Sequence, residues 1–146
     1  MTPMMIRPMQ PDEEPAVRTL CADIDGGACL ADRPPGWHQA HPTLVAEIDA
    51  QIVGYTSYIL AHGTMLWIET CVAADYRGRG IGRALMTERL RIAEQLGMQI
   101  VAGGVKECNE VMVHLLESLG LHPCQRIPGG RDEPMTLYAR HIHMEN

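Results

Sequence analysis

Between Thr64 and Leu96 the residues best able to do chemistry stand close together, as TMLWIETCVA, then ADYRGRGIG, then RALMTERLRIAEQL. One carboxylate, Glu69, precedes a turn in which Gly78, Gly80 and Gly82 alternate with Arg77, Arg79, Ile81 and Arg83. Glycine opens backbone dihedrals closed to other residues and lets a ligand approach the main chain. The amides that open the following helix have no partners within it, and the helix dipole favours negative charge there by roughly 0.3 to 2 kcal/mol. A phosphate or pyrophosphate would satisfy several of these amides at once, with arginines around it. This stretch is built to hold an anion.

Two familiar phosphate-binding patterns do not fit. A Walker-type loop needs lysine and a hydroxyl after its last glycine, where Arg83 and Ala84 stand. A dinucleotide fingerprint beginning at Gly78 needs glycine at position 83, again arginine. The pattern that fits is R-x-x-G-x-G, as Arg77-Gly78-Arg79-Gly80-Ile81-Gly82, behind a strand ending in Val72 and the tripeptide Ala74-Asp75-Tyr76. On these residues the chain resembles the GNAT superfamily of acetyl-coenzyme A dependent N-acetyltransferases. In that family the loop amides bind the coenzyme A pyrophosphate, and the preceding strand pairs with the pantetheine arm. The resemblance therefore implies cofactor contacts from Cys71, Val72, Ala73, Arg77, Gly78, Arg79, Gly80, Ile81, Gly82 and Arg83. Val105-x-x-x-Asn109, followed by Leu115-x-x-x-Leu119-Gly120-Leu121, resembles the family's second coenzyme-binding motif, in which the asparagine contacts the cofactor arm. A plain helix cap uses the same side-chain oxygen of Asn109, so both roles stand.

What the resemblance implies is transfer of an acetyl group from acetyl-CoA to a primary amine by direct attack on the thioester. An aliphatic amine, with a pKa near ~10 judged from lysine, must first lose a proton. Glu69, on the strand that ends at the loop, is the best-placed carboxylate to act as base, since burial raises a carboxyl pKa toward a useful range. A structural or substrate-orienting carboxylate is the competing reading of the same residue. The family carries a bulge in this strand, which implies the backbone amide of Val72 as oxyanion donor, worth about 2.7 to 4 kcal/mol in the transition state. Family members often place a tyrosine general acid four residues before the helix-ending glycine, and here that position is Leu116. His114 and Cys108 are poor replacements. Either the thiolate leaves without a protein acid, or the chain is a non-catalytic acyl-coenzyme A sensor or interaction protein of the same fold.

Composition bounds these readings. The chain has 146 residues, 46% hydrophobic and 21% charged, with a formal net charge of -6. That suits one soluble domain over residues 1–146 and argues weakly against a nucleic-acid partner. No apolar run approaches the ~18 residues of a membrane span, and no signal-peptide h-region is visible, so the expected compartment is the cytoplasm. Five cysteines without a C-x-x-C pair are expected as free thiols. His38-x-x-His41 and His141-x-His143 lack zinc-site spacing, so no metal is expected. The acceptor is expected to be a small-molecule or peptide amine. Dimerisation is common in the family, and no exposed stripe establishes it here.

The elements that must position these groups follow from periodicity. Met5 to Met9 reads as an edge strand. Asp12 then caps a helix with Val17, Leu20, Cys21 and Ile24 on its apolar face, ended by Asp25-Gly26-Gly27. Residues 26–42 are broken by glycine and proline, with room for a short helical turn near 28–32. The resemblance makes this region a wall of the acceptor site, with Trp37, His38 and His41 the residues to watch; an ordered surface loop with Trp37 as its packing anchor is the competing reading. Residues 43–49 and 51–60 pair as strands around Asp49-Ala50-Gln51, and His62-Gly63 turns into the strand 64–73. The helix 82–96 buries Ile81, Leu85, Ile92 and Leu96, widened by Met86, Leu90 and Ala93, and stops at Gly97. A strand over 98–105 pairs in parallel with 64–73, and Gly103-Gly104 splays its far end. Asn109 caps a helix ending at Gly120, and strands 124–127 and 135–140 close the fold. The expected class is α+β, read as three α/β layers, with a mixed, mostly antiparallel sheet of about six to seven strands flanked by about four helices.

Overall fold

The computed structural model describes residues 3–20, 36–128 and 133–142. The expected turn at 28–32, the helix stop at 25–27, the helix positions Cys21 and Ile24, His143 and the centre of the last hairpin lie outside the described residues. In chain order the elements are β1 (Met5–Pro8), a 3-10 turn (Pro11–Glu13), α1 (Glu14–Thr19), α2 (Trp37–Ala40), β2 (Thr43–Ile48), β3 (Gln51–Ala61) and β4 (Thr64–Val72). A second 3-10 turn (Ala74–Tyr76), α3 (Ile81–Gln95), β5 (Ile100–Lys106), α4 (Glu110–Ser118), β6 (His122–Ile127) and β7 (Met135–His141) complete the described residues. The seven strands hydrogen-bond in the order β1-β2-β3-β4-β5-β7-β6. Strands β1 and β2, β2 and β3, β5 and β7, and β6 and β7 pair antiparallel, and β4 with β5 is parallel. This is the expected mixed, mostly antiparallel sheet with its helices.

The tight turns are two-residue loops with both central φ values positive: Asp49 and Ala50 at 52° and 62°, and His62 and Gly63 at 51° and 75°. That geometry matches the twist of the flanking strands, although Ala50 has no side-chain oxygen to favour it.

The chain forms two compact units, Met1–Ile59 with Glu69–Arg89, and Leu60–Ile68 with Leu90–Asn146. In the first, Val17, Val45, Tyr55 and Cys71 make a buried cluster with Met9, Leu20 and Ile52 packed on it. The entry into α1 differs from the expected cap at Asp12. Glu13 does the work instead: its Oε1 accepts from the Gln10 amide at 2.7 Å, as a carboxylate three residues into a turn can. Arg7 grips the same Glu13 at 2.7 Å and Glu47 at 2.8 Å, tying β1, the turn and β2 together.

α3 begins one residue earlier than expected, at Ile81. Ile81, Leu85 and Met86 are buried as foreseen, but Leu96 is 51% exposed and Arg89 is buried. Arg89 lies four residues beyond Leu85, on the core stripe, where its polar end reaches the Ser57 carbonyl and the Thr70 hydroxyl. Gly97 (φ 72°) then ends the helix in a Schellman turn, with Met98 N bonded to Ala93 O and Gly97 N to Glu94 O, which leads Leu96 away from the core stripe. Gly54 in β3 brings α3 close: a Cβ there would lie 3.1 Å from Ile81 Cγ2 and 3.1 Å from the Cys71 carbonyl oxygen.

In the second unit, β4 and β5 pair from Thr64↔Ile100 to Trp67↔Gly103 and no further, whereas β5 stays paired to β7 through Lys106↔Met135. The expected splay is therefore on the β4 side of β5. Asn109 caps α4 by accepting from Met112 N at 3.1 Å. Gly120 (φ 87°) ends that helix, and Leu116 is buried. β6 has one neighbour, β7, and is exposed along its whole length, with a register break between Pro123 and Gln125. Among the described residues no helix is long and apolar enough to cross a membrane. Cys108 and Cys124 are free, but Cys71 is disulfide-bonded, contrary to the expectation of free thiols throughout. Sequence spacing does not report which cysteines meet in space.

Candidate active site

Strand alternation in β4 turns Met65, Trp67, Glu69 and Cys71 inward. Glu69 is thus the one carboxylate in a row of otherwise uncharged side chains, and its side chain is 2% exposed. Opposite it stands His38, placed by the short helix α2, which opens at Gly36 with φ 83°. His38 Nε2 lies 3.2 Å from Glu69 Oε2. Two residues read separately from the sequence, one as base and one as acceptor-site wall, are therefore in direct contact.

A third member was missed. Glu14, the first residue of α1, turns inward and is buried. Its Oε1 accepts from His38 N at 2.8 Å, and its Oε2 from Gly36 N at 3.2 Å and Gln39 Nε2 at 3.1 Å. The same Oε1 lies 3.7 Å from His38 Nδ1, a buried atom with no hydrogen-bond partner. Tyr55 sets its ring edge-on to the imidazole, centroids 5.5 Å apart. Burial works against ionisation of Glu14, but the hydrogen bonds from His38 N, Gln39 and Gly36 N outweigh it and hold the carboxyl below its usual range. The available signal was spacing: Glu14 precedes Val17 by three, which puts a carboxylate on the helix's apolar face.

The opposite face of β4 is polar in a different way. Thr56 Oγ1 donates to the Glu69 carbonyl at 2.5 Å and stands 2.9 Å from Thr70 Oγ1, which in turn accepts from Arg89 Nη2 at 2.9 Å. Complete burial pushes the Arg89 guanidinium down to about 9. The backbone of the residue carrying the carboxylate is fixed from behind by this chain of hydroxyls.

The loop after β4 fits a pyrophosphate. Gly78 and Gly80 have φ of 78° and 81°, and a Cβ built on either would meet nothing within 4 Å, so the main chain lies open. Gly82, read from the sequence as a third such position, sits within the first turn of α3 and needs no positive φ. Ala84 N bonds back to Gly80 O at 3.0 Å, so the amides of Ile81, Gly82 and Arg83 precede the helix's own ladder. Arg77 Nε donates to the Val72 carbonyl at 2.9 Å, and the Arg79 guanidinium lies 5.0 Å from the centroid of the Tyr76 ring. Ala73 N donates to Val53 O at 2.8 Å, which fixes the strand end. Cys71 is disulfide-bonded and buried, so only its backbone is open to a cofactor role. Trp37 packs edge-on against His41, centroids 4.2 Å apart. Asn109, in the second unit, spends its side-chain oxygen on capping α4.

Known proteins were compared with this chain. A profile described as the acetyltransferase (GNAT) family matches residues 9–121. The L-amino acid N-acyltransferase MnaT of Escherichia coli (strain K12) is 28% identical over 108 residues, 67% of this chain and 63% of that protein. The L-methionine sulfoximine/L-methionine sulfone acetyltransferase of Salmonella typhimurium is 25% identical over 107 residues, 66% of this chain and 63% of that protein. The chain thus spans just under two thirds of the length of the curated relatives it matches. Among solved structures, the ribosomal-protein-S18-alanine N-acetyltransferase from Escherichia coli superposes with a TM-score of 0.80 at 17% identity, covering 99% of this chain and 97% of that one. The Salmonella typhimurium protein yncA, solved with its cofactor acetyl-CoA, gives 0.78 at 20% identity, covering 99% and 96%. At those identities the superpositions speak to the fold. Together with the profile match over most of its length, they establish that the chain belongs to the acetyltransferase (GNAT) family.

Proposed function

We propose that the protein is an N-acetyltransferase, a single domain over residues 1–146 that moves an acetyl group from acetyl-CoA to a primary amine. The observation that carries this reading is the joining of two features on one continuous run of chain. The open Gly78–Gly80 cradle at the start of α3 follows directly on the strand that buries Glu69 against His38. Acetyl-CoA supplies the activated acyl group. The amides of Ile81, Gly82 and Arg83 take the pyrophosphate, with Arg77, Arg79 and Arg83 adding charge. Glu69 removes a proton from the amine, and the Val72 amide faces negative charge as it develops on the reacting carbonyl. The buried Leu116 offers no proton, and a leaving thiol with a pKa of roughly 8.5 departs without one.

The acceptor is a small-molecule or peptide amine, and the α-amino group of an amino acid is the first class to screen, because MnaT is named an L-amino acid N-acyltransferase. A thermal-shift titration with acetyl-CoA, coenzyme A and ATP on ligand-free protein tests the cofactor site. Saturation at 100 times Kd stabilises by about 2.7 kcal/mol, a rise of roughly 5 to 10 °C for a chain this long. The rise is expected with both coenzyme forms, absent with ATP, and lost in Gly80→Asp. No rise with acetyl-CoA overturns the reading.

A further inference from the structure

Glu69 alone is not an isolated base. Its Oε2 faces His38 Nε2 at 3.2 Å, the ring's other nitrogen faces Glu14 Oε1 at 3.7 Å, and the His38 side chain is fully buried. With both carboxylates ionised and the imidazole neutral, a ring lone pair must point at one carboxylate; with the ring's own proton on Nδ1 toward Glu14, that lone pair is on Nε2, and a single added proton between Nε2 and Oε2 removes the conflict. Resting on the acetyl-transfer reading above, we propose that the proton acceptor is the His38–Glu69 pair acting as one group, with Glu14 as the positioning residue that sets its protonation.

The step balances. The ammonium N–H bond breaks, the proton goes to the Oε2–Nε2 pair, and the nitrogen keeps the electron pair that then attacks the carbonyl. The cluster gains one positive charge, and the proton stays between two heavy atoms already at hydrogen-bonding distance. Glu14 acts through His38. Its three hydrogen bonds to Gly36, His38 and Gln39 hold the first turn of α2, and with it the ring, against Glu69. Its carboxylate stands on the far side of the ring, 3.7 Å from Nδ1. Among the described residues, the groups facing the cluster include Glu14 from α1, His38 from α2, Tyr55 from β3 and Glu69 from β4, with Arg89 of α3 reaching Thr70 behind the sheet.

Two measurements on the whole protein test this. In wild type, the His38 ring 15N and Glu69 carboxyl 13C signals are followed by NMR against pH, and a shared proton gives both the same midpoint. Separate midpoints overturn the proposal, with no variant needed. In Glu14→Gln, the His38 midpoint is expected to fall by at least about one pH unit, because a neighbouring negative charge is gone. The rising limb of the kcat/KM profile for the amine moves with it, kcat drops about 10- to 100-fold, and KM for acetyl-CoA stays unchanged. A His38 midpoint that does not move in Glu14→Gln shows that Glu14 only fastens α2, and the positioning role falls. The NMR arm needs no turnover, so failure of the acetyl-transfer reading, seen as no coenzyme binding by wild type, is told apart from failure of the shared proton.

Discussion

Gly54→Ala tests how the core positions the coenzyme loop. The new Cβ would stand 3.1 Å from Cys71 O, 3.1 Å from Ile81 Cγ2 and 3.3 Å from Leu85 Cδ1. Contacts this short are tighter than side chains ordinarily make, so each neighbour must give by a few tenths of an ångström. Leucine and isoleucine tips can turn, but the Cys71 carbonyl belongs to the strand that carries Glu69, and Ile81 opens α3. Overpacking of this kind costs about 1 to 3 kcal/mol, which lowers Tm by roughly 3 to 10 °C at this chain length. The strain falls on the elements that hold the loop amides, so acetyl-CoA affinity is expected to weaken about tenfold, or about 1.4 kcal/mol. Gly97→Ala is the control: its φ is 72° but an added Cβ meets nothing within 4 Å. It loses about 1 kcal/mol to backbone strain and keeps wild-type affinity. Thermal melts and calorimetric titration of both variants decide the matter. Wild-type acetyl-CoA affinity in Gly54→Ala, or equal weakening in Gly97→Ala, would refute the packing argument.

Arg7 holds the Glu13 carboxyl down at about 2, from its ordinary 4.5, chiefly through their hydrogen bonds. A depressed carboxyl stabilises the fold above the unfolded value and loses that stability as pH falls through the folded one, between about pH 5 and 2. Arg7→Met is therefore expected to cost about 1 to 2 kcal/mol at pH 7, after allowance for solvent screening, with the gap to wild type closing toward pH 2 in urea titrations. Arg89→Met removes a buried charge but keeps most of the aliphatic stem, and should stay within about 1 to 2 kcal/mol of wild type. Arg89→Ala leaves a hole and costs about 3 to 5 kcal/mol, so equal urea midpoints for the two variants would contradict this account. Ala50→Gly relieves a positive φ at the β2–β3 turn and is expected to raise the urea midpoint by a net gain of about 0.5 kcal/mol, the strain relief exceeding the entropy cost of glycine.

Element order was legible because each boundary has a local cause. Gly97 and Gly120 end helices with the expected positive φ, Asn109 caps α4, and His62-Gly63 turns the chain between strands. The shape of the glycine-arginine loop was legible for the same reason, since such a turn behind a strand is a local pattern. What stayed hidden depends on contacts distant in sequence. Glu14 meets His38 across 24 positions and His38 meets Glu69 across 31, so no window of sequence contains the cluster. Arg89 was read into neither face of its helix, because a guanidinium is costly to bury, and hydrogen bonds to the Ser57 carbonyl and Thr70 hydroxyl help make its buried place tolerable. The start of α1 slipped because Glu13 had a stronger partner in Arg7 than Asp12 could offer anywhere nearby.

β6 bears on the protein's behaviour in concentrated solution. An outer strand exposed along its length presents a row of main-chain donors and acceptors that any other extended chain can join. Here proline at position 123 deletes one donor, and the register break before Gln125 bends the row out of line. The two together deny a second molecule a straight ladder to zip onto. The edge can therefore stay open to water without acting as a seed for fibres.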